Sequence, residues 1–170
     1  MSDIEYNKEV EPFFLYMQKK ISSIDKLDLN IQKFNPRFFK LYLPNEERNV
    51  KSTLVRLFFC MIARKRFIIY YCCNEKGELM HTSFTVSKCI KFPFLTKNDC
   101  HIGPCETYTK FRGQGIYPKV LRYIISDYNA EKYYMIVHES NASSIRGIEK
   151  AGFEKVGCVK KNIFKIFKRV

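Results

Sequence analysis

The chain has 170 residues, the size of one domain, and a domain of this length buries roughly 70% of the surface its unfolded chain exposes, so a core forms without metals or disulfides. Hydrophobic residues make up 46% and charged residues 28%, with 7 Gly and 6 Pro, which excludes a disordered, collagen-like, coiled-coil or low-complexity chain. Lys and Arg number 30 against 17 Asp and Glu, a formal charge of +13. Such a surface suits polyanions: nucleic acid, anionic lipid, an acidic carrier protein or a phosphate-rich cofactor.

No apolar run reaches the roughly 18 residues of a membrane span. Met1-Ser2-Asp3-Ile4-Glu5 lacks the basic-then-apolar pattern of a signal peptide. A cytoplasmic protein without a membrane span is expected. The 7 cysteines fit that compartment: they form no CxxC pair, and Cys60, Cys72 and Cys73 lie in apolar runs. They are expected to be small buried hydrophobes, with no metal site.

Residues 1–50 are the hardest to place. Phe13-Phe14-Leu15-Tyr16-Met17, followed by Lys19-Lys20-Ile21, suggests an amphipathic helix with Pro12 in its first turn. Asn35-Pro36 to Leu43-Pro44-Asn45 suggests loop and turn around a short apolar segment. Strands are expected over Leu54–Phe59 and over Phe67–Cys72, the second rich in β-branched and aromatic residues. Asn74-Glu75-Lys76-Gly77 signals a turn, and Leu79–Val86 the returning strand of a hairpin. A further strand runs from about Cys100 to Thr109. Within it, Gly103-Pro104 is anomalous, because proline cannot donate to a ladder; the strand either carries a bulge there or starts at Cys105.

The rhythm then becomes helical. Val120, Leu121, Ile124 and Ile125 recur at helical spacing, with Pro118 where a first turn tolerates it. Tyr133–Val137 has the composition of a buried strand. Asn141 caps a second helix that Gly152 ends, and Phe153–Val170 offers two more strands. Strand, helix, strand, helix and strand after a hairpin make one α/β domain over 1–170, with mixed strand pairing.

The stretch from Thr107 to Pro118 carries the chemistry. A strand ends, Gly113 and Gly115 make a tight loop, and a helix begins. The first turn of a helix leaves backbone N–H groups unpaired at its electropositive end, and glycines let an anion approach them closely. The segment is neither a Walker A loop nor a Rossmann GxGxxG. Read alone, it is either a pyrophosphate cradle or a plain two-glycine turn.

Arg112-Gly113-Gln114-Gly115-Ile116 resembles the Q/R-x-x-G-x-G/A coenzyme A loop of the GNAT superfamily of N-acetyltransferases. About 25 residues downstream, Val137-His138-Glu139-Ser140-Asn141-Ala142-Ser143-Ser144, running on to Lys150-Ala151-Gly152-Phe153, resembles the family's second motif. The resemblance covers about residues 54–170. It implies a GNAT-like mixed, mainly antiparallel sheet with flanking helices and a splayed parallel pair near 101–109 and 132–139. The pantetheine arm of acetyl-CoA would enter that gap as an added strand.

By position, the resemblance assigns the backbones of Cys105 and Thr107 to the pantetheine arm. It assigns the amides of Gly113, Gln114, Gly115, Ile116 and Tyr117 to the pyrophosphate. Arg112 takes the first motif position, and Asn141 lies near the arm. Tyr117 departs from the usual Gly or Ala. The implied reaction is acetyl transfer from acetyl-CoA to a primary amine by direct attack. The implied amine is an amino sugar, another small amine or a protein amine.

Many relatives carry a tyrosine acid seven residues after the motif Asn; this chain has Ile148. Ser144 is then the candidate acid, with a capping role as its alternative. Glu106 is the candidate base, ahead of Tyr108, His138 and Glu139. A cysteine nucleophile, Cys105 with His101 or His138, has nothing to orient it. Two other functions stay open. One is a non-catalytic module of the same fold that binds CoA or a partner. The other, less favoured, is a nucleic-acid binder using the basic and aromatic residues from Lys161 to Arg169, without any RNP, KH or zinc signature. The acceptor, the donor's chain length and the oligomeric state, a homodimer included, are left open.

Overall fold

Asn74 organises the hairpin at the centre of the expected sheet. Its Oδ1 accepts the backbone N–H groups of Lys76 (3.0 Å) and Glu78 (2.9 Å), and Gly77 takes φ +77° to close the turn. The flanking strands are β3 (Ile68–Cys73) and β4 (Leu79–Val86). The computed structural model describes residues 13–20, 28–43, 46, 50–63, 67–162 and 166–170. The other elements are β1 (Phe13–Lys19), β2 (Ile31–Phe34), α1 (Val50–Ala63), β5 (Asp99–Thr107), α2 (Ile116–Asp127), β6 (Lys132–His138), α3 (Ala142–Lys150), β7 (Glu154–Lys161) and β8 (Phe167–Arg169).

The strands form one mixed sheet in the order β2-β3-β4-β5-β6-β1-β7-β8. Its neighbours are antiparallel except β5 and β6. Alternate side chains build two cores. On one face α2 and α3 pack over Tyr70, Ile102, Tyr133 and Met135. On the other, α1 and the 87–97 loop pack over Ile69, Phe84, Val86 and Tyr134. Among the described residues no helix is long and apolar enough to cross a membrane.

Two expected elements are corrected. Residues 13–19 form a strand, not a helix; Pro12 and Ile21 lie outside the described residues. β1 is hydrogen-bonded to β6 on one edge and β7 on the other, Leu15 facing Ile136 and Gly157. Leu15 sits in one core and Tyr16 in the other. A strand buried on both faces shows no period-two alternation, so its apolar run has no pattern that separates it from a helix. Leu54–Phe59 is likewise not a strand but the middle of α1. Arg56 and Phe59 are buried while Leu54 and Met61 are exposed. Apolar side chains on both sides of that helix erase the 3.6-residue signal.

The remaining expected elements form at or near the stated positions within the described residues; Pro44 and Asn45 of the expected turn, and residues 163–165 between the last two strands, lie outside them. The strand irregularity is a bulge: Ser83 faces Cys105 and Thr85 faces Ile102, so β5 holds an extra residue at Gly103-Pro104. β5 and β6 pair at Asp99–Lys132, Cys100–Tyr133 and His101–Tyr134, and there the pairing stops. Beyond it β5 stays with β4 as far as Thr107, and β6 with β1 as far as His138.

Candidate functional site

Phe111 is buried and anchors a single 3-10 turn that carries the chain from β5 into the glycine loop. Arg112 Nε donates to the Thr107 carbonyl (2.9 Å), folding the loop back on the strand end. Gly113 and Gly115 hold φ +81° and +71°, where L side chains are strained; a Cβ at either would meet nothing within 4 Å. The glycines are there for backbone conformation, not for lack of room. Gly115 is the N-cap of α2 and offers no side-chain cap, so the first amides of that helix keep their anion-binding capacity. Val120, Leu121, Ile124 and Ile125 are fully buried and fix the axis of α2.

The second helix starts differently. Asn141 Oδ1 accepts from Ser144 N–H (3.1 Å) and from Ser143 Oγ (3.1 Å), so Asn141 is a true N-cap. Tyr16 on β1 donates its hydroxyl to Glu149 Oε1 (2.9 Å) and ties α3 to the sheet. A groove of about 690 Å³ opens between the starts of the two helices. Thr107, Arg112, Gly113, Gly115, Ile116, Tyr117 and Asn141 line it, together with Ser144.

Three predicted residues do not line it. Gln114 is exposed and directs Nε2 to the Lys110 carbonyl (3.5 Å). Cys105 lies deeper, beside Tyr117 and Ser83. Glu106 is exposed and, by strand alternation, projects to the face opposite Cys105 and Thr107. Tyr108 N–H donates to the Met80 carbonyl (3.1 Å). The alternation of an antiparallel ladder then turns the backbone groups of Cys105 and Thr107 toward the edge facing β6. Sequence reasoning missed Ser143, Arg146, Gly147 and Lys150, which also line the groove. Their spacing along α3 places them on one helical face with Asn141, a signal that was available.

Tyr117 and Gly147 are complementary. A Cβ at Gly147 would stand 2.4 Å from Tyr117 Cδ1, so the ring from α2 occupies space that any larger residue on α3 would fill. The hydroxyl donates toward Cys105 Sγ, and the ring centroid is 5.7 Å from that of His81. Beneath it runs a buried polar chain: His81 Nδ1 pairs with Thr107 Oγ1 (2.7 Å) and Nε2 with Ser83 Oγ (2.7 Å). Burial drives each group toward its neutral form. It lowers His81 to about 4, raises Cys105 to about 12 and lifts Tyr117 well above the usual phenol.

A neutral, half-buried Cys105 is no nucleophile. His101 lies in the other core, stacked on Phe92 at 3.9 Å, and His138 pairs with Ser140 Oγ (2.7 Å). No cysteine–histidine pair is assembled from these residues. Among the described residues no group of three or more His, Cys, Asp and Glu could hold a metal ion.

The histidines give the fold a pH dependence with a definite sign. The unfolded chain takes up a proton at His81 below about pH 6.5, whereas the folded protein resists it until about pH 4. The stabilisation is full above pH 6.5 and declines as pH falls toward 4, by up to about 3 kcal/mol. Burial lowers His101 in the same direction, to about 3. Urea midpoints measured from pH 7 to pH 4 should therefore fall, and a flat midpoint would contradict an uncharged buried His81.

No protein-family model matches the sequence, and no curated protein does. Solved structures do match. An acetyltransferase of the GNAT family from Colwellia psychrerythraea superposes with a TM-score of 0.59 at 16% identity, over 85% of this chain and 53% of its own. A conserved protein of unknown function from Staphylococcus epidermidis gives 0.58 at 13% identity, over 86% and 58%. A GCN5-related N-acetyltransferase from Sphaerobacter thermophilus gives 0.54 at 15% identity, over 86% and 49%. The chain thus spans roughly half the length of these proteins. The glycine loop, the interrupted strand pair and these superpositions agree: the chain carries the mixed α/β fold of the GNAT acetyltransferases.

Proposed function

We propose that the protein is an acyl-CoA-dependent N-acetyltransferase that acetylates a primary amine by direct attack on the thioester. One observation carries the reading. The uncapped start of α2 opens on a groove that reaches Thr107, the last residue of β5, and β5 is unpaired with β6 from Ile102 to that residue. A diphosphate fits the groove's first half, because the amides from Gly113 to Tyr117 are backed by Arg112, Arg146 and Lys150. An extended amide-bearing arm fits its second half, along the edge that Cys105 and Thr107 turn toward β6.

Acetyl-CoA would supply the activated acyl group. The remaining work falls to this chain. Glu106, on the far face of β5, takes the proton of the incoming amine as nitrogen bonds to the acyl carbon. A backbone N–H of β5 steadies the developing oxyanion. Ser144, in the first turn of α3, donates a proton to sulfur as the carbon–sulfur bond breaks. The acceptor is a small amine or a protein amine.

A second reading, a CoA-binding module without turnover, is favoured by Ile148, which stands where the resemblance places a tyrosine acid. Thermal melting with acetyl-CoA, followed by thiol release across a panel of amines, separates the two. A raised melting temperature with thiol release supports the transferase. A shift with no release across the panel supports the module, and no shift removes both.

A further inference from the structure

The face of the sheet opposite the groove ends in an unusual tip. Arg37 N–H donates to the Lys40 carbonyl (2.9 Å) and Lys40 N–H to the Arg37 carbonyl (2.8 Å), closing a reversal with Phe38 and Phe39 at its point. Phe39 is 97% exposed and Phe38 61%. Their rings meet edge to face at 5.2 Å. Two adjacent phenylalanines held in water contribute nothing to the core.

Nearby, α1 turns Val50, Leu54, Phe58 and Met61 outward, at spacings of four, four and three residues along one helical face. These elements form one layer. Cys60 Sγ donates to the Pro36 carbonyl (3.5 Å), joining α1 to the base of the tip. An apolar groove of about 510 Å³ joins Leu54 and Phe58 to Ile90 and Ile166.

The layer is also one-sided in charge. Residues 35–43, 50–63, 87–97, 158–162 and 166–170 contain 11 Lys and Arg and not one Asp or Glu, and of these Lys160 and Lys168 alternate to the opposite face from Val159 and Phe167. Glu46, beside the layer, is held by Arg56, whose Nη1 donates to it at 2.9 Å. We propose that this layer docks on an anionic lipid surface, with Phe38 and Phe39 inserted among the headgroups and the outer stripe of α1 laid against them.

An apolar tip with a cation on either side matches a surface that is anionic outside and apolar a few ångströms in. A nucleic acid would answer the cations but leave the aliphatic stripe of α1 in water. A second copy would bring two acid-free layers together, and like charge opposes that. The inference does not rest on acetyl transfer, because the candidate cofactor groove lies on the other face.

The test uses the full chain and vesicles of phosphatidylcholine with about one third phosphatidylglycerol. The protein should sediment with these vesicles and not with phosphatidylcholine alone. Raising salt from about 0.1 M to about 1 M should release much of it. Phe38→Ser with Phe39→Ser should weaken partitioning by about tenfold for each ring lost, with an unchanged melting temperature because neither ring supports the core. The chain has no tryptophan, so Phe39→Trp is a clean reporter whose emission should shift to the blue on the same vesicles. Absence of sedimentation at low salt, undiminished binding by the double serine variant, or an unshifted tryptophan would each overturn the proposal. So would a concentration-dependent dimer that the serine variant abolishes, without vesicle binding.

Discussion

Gly115→Glu is expected to erase the thermal shift that acetyl-CoA produces on the wild-type protein, weakening binding by about a hundredfold or more. The position is the N-cap of α2 at φ +71°, and a Cβ there meets no atom within 4 Å. The new side chain therefore projects without a clash, and its carboxylate stands in the first turn, where a diphosphate would sit. Two anions would then compete for one set of amides. The left-handed backbone costs about 1–2 kcal/mol for a residue with a Cβ. A carboxylate at a helix start returns part of that through the helix dipole. The variant should consequently fold. Gly115→Ala carries the same backbone cost without the charge and should lose much less affinity. Equal binding by Gly115→Glu and wild type would remove the cradle and, with it, the proposed reaction.

The largest expected effect on stability comes from β1. Removing residues 1–19 should abolish cooperative folding, because β1 is the strand that joins β6 to β7. Without it both neighbours lose a full edge of hydrogen bonds, and the β7–β8 hairpin separates from the rest of the sheet. Leu15→Ala isolates the packing share of that effect. Leu15 is fully buried between strands paired on both sides, and truncating such a leucine costs about 2–5 kcal/mol. Urea unfolding followed by circular dichroism measures both. A truncated chain that melts as the intact one does would show that β6 and β7 can close on each other.

These two expectations differ in how far the sequence alone supports them. The glycine loop is legible because everything it needs is local: two glycines, a strand before and an amphipathic helix after, all within residues 100–127. The β3–β4 hairpin, the Asn141 cap and the Gly103-Pro104 bulge are legible for the same reason. Each is a backbone problem solved by the residues at hand. β1 is not. Its place depends on partners at residues 132–138 and 154–161, and no short-range pattern encodes a pairing across more than a hundred residues. The complementarity of Tyr117 and Gly147 is hidden too: a tyrosine where small residues are usual looks like an obstacle until the bare backbone of the facing helix is seen.

Composition and local pattern alone determined a basic α/β chain with mixed strand pairing and a two-glycine loop between a strand and an amphipathic helix at residues 113–117, because charge count, turn chemistry and helix periodicity act over a few residues. Only the tertiary structure decided that β1 completes the middle of the sheet and that Leu54–Phe59 is helical. The same holds for Arg146 and Lys150 lining the groove beside the glycine loop, and for Glu106 projecting to the opposite face. In each case the deciding quantity is which surfaces are buried against each other, and burial is a property of the folded whole.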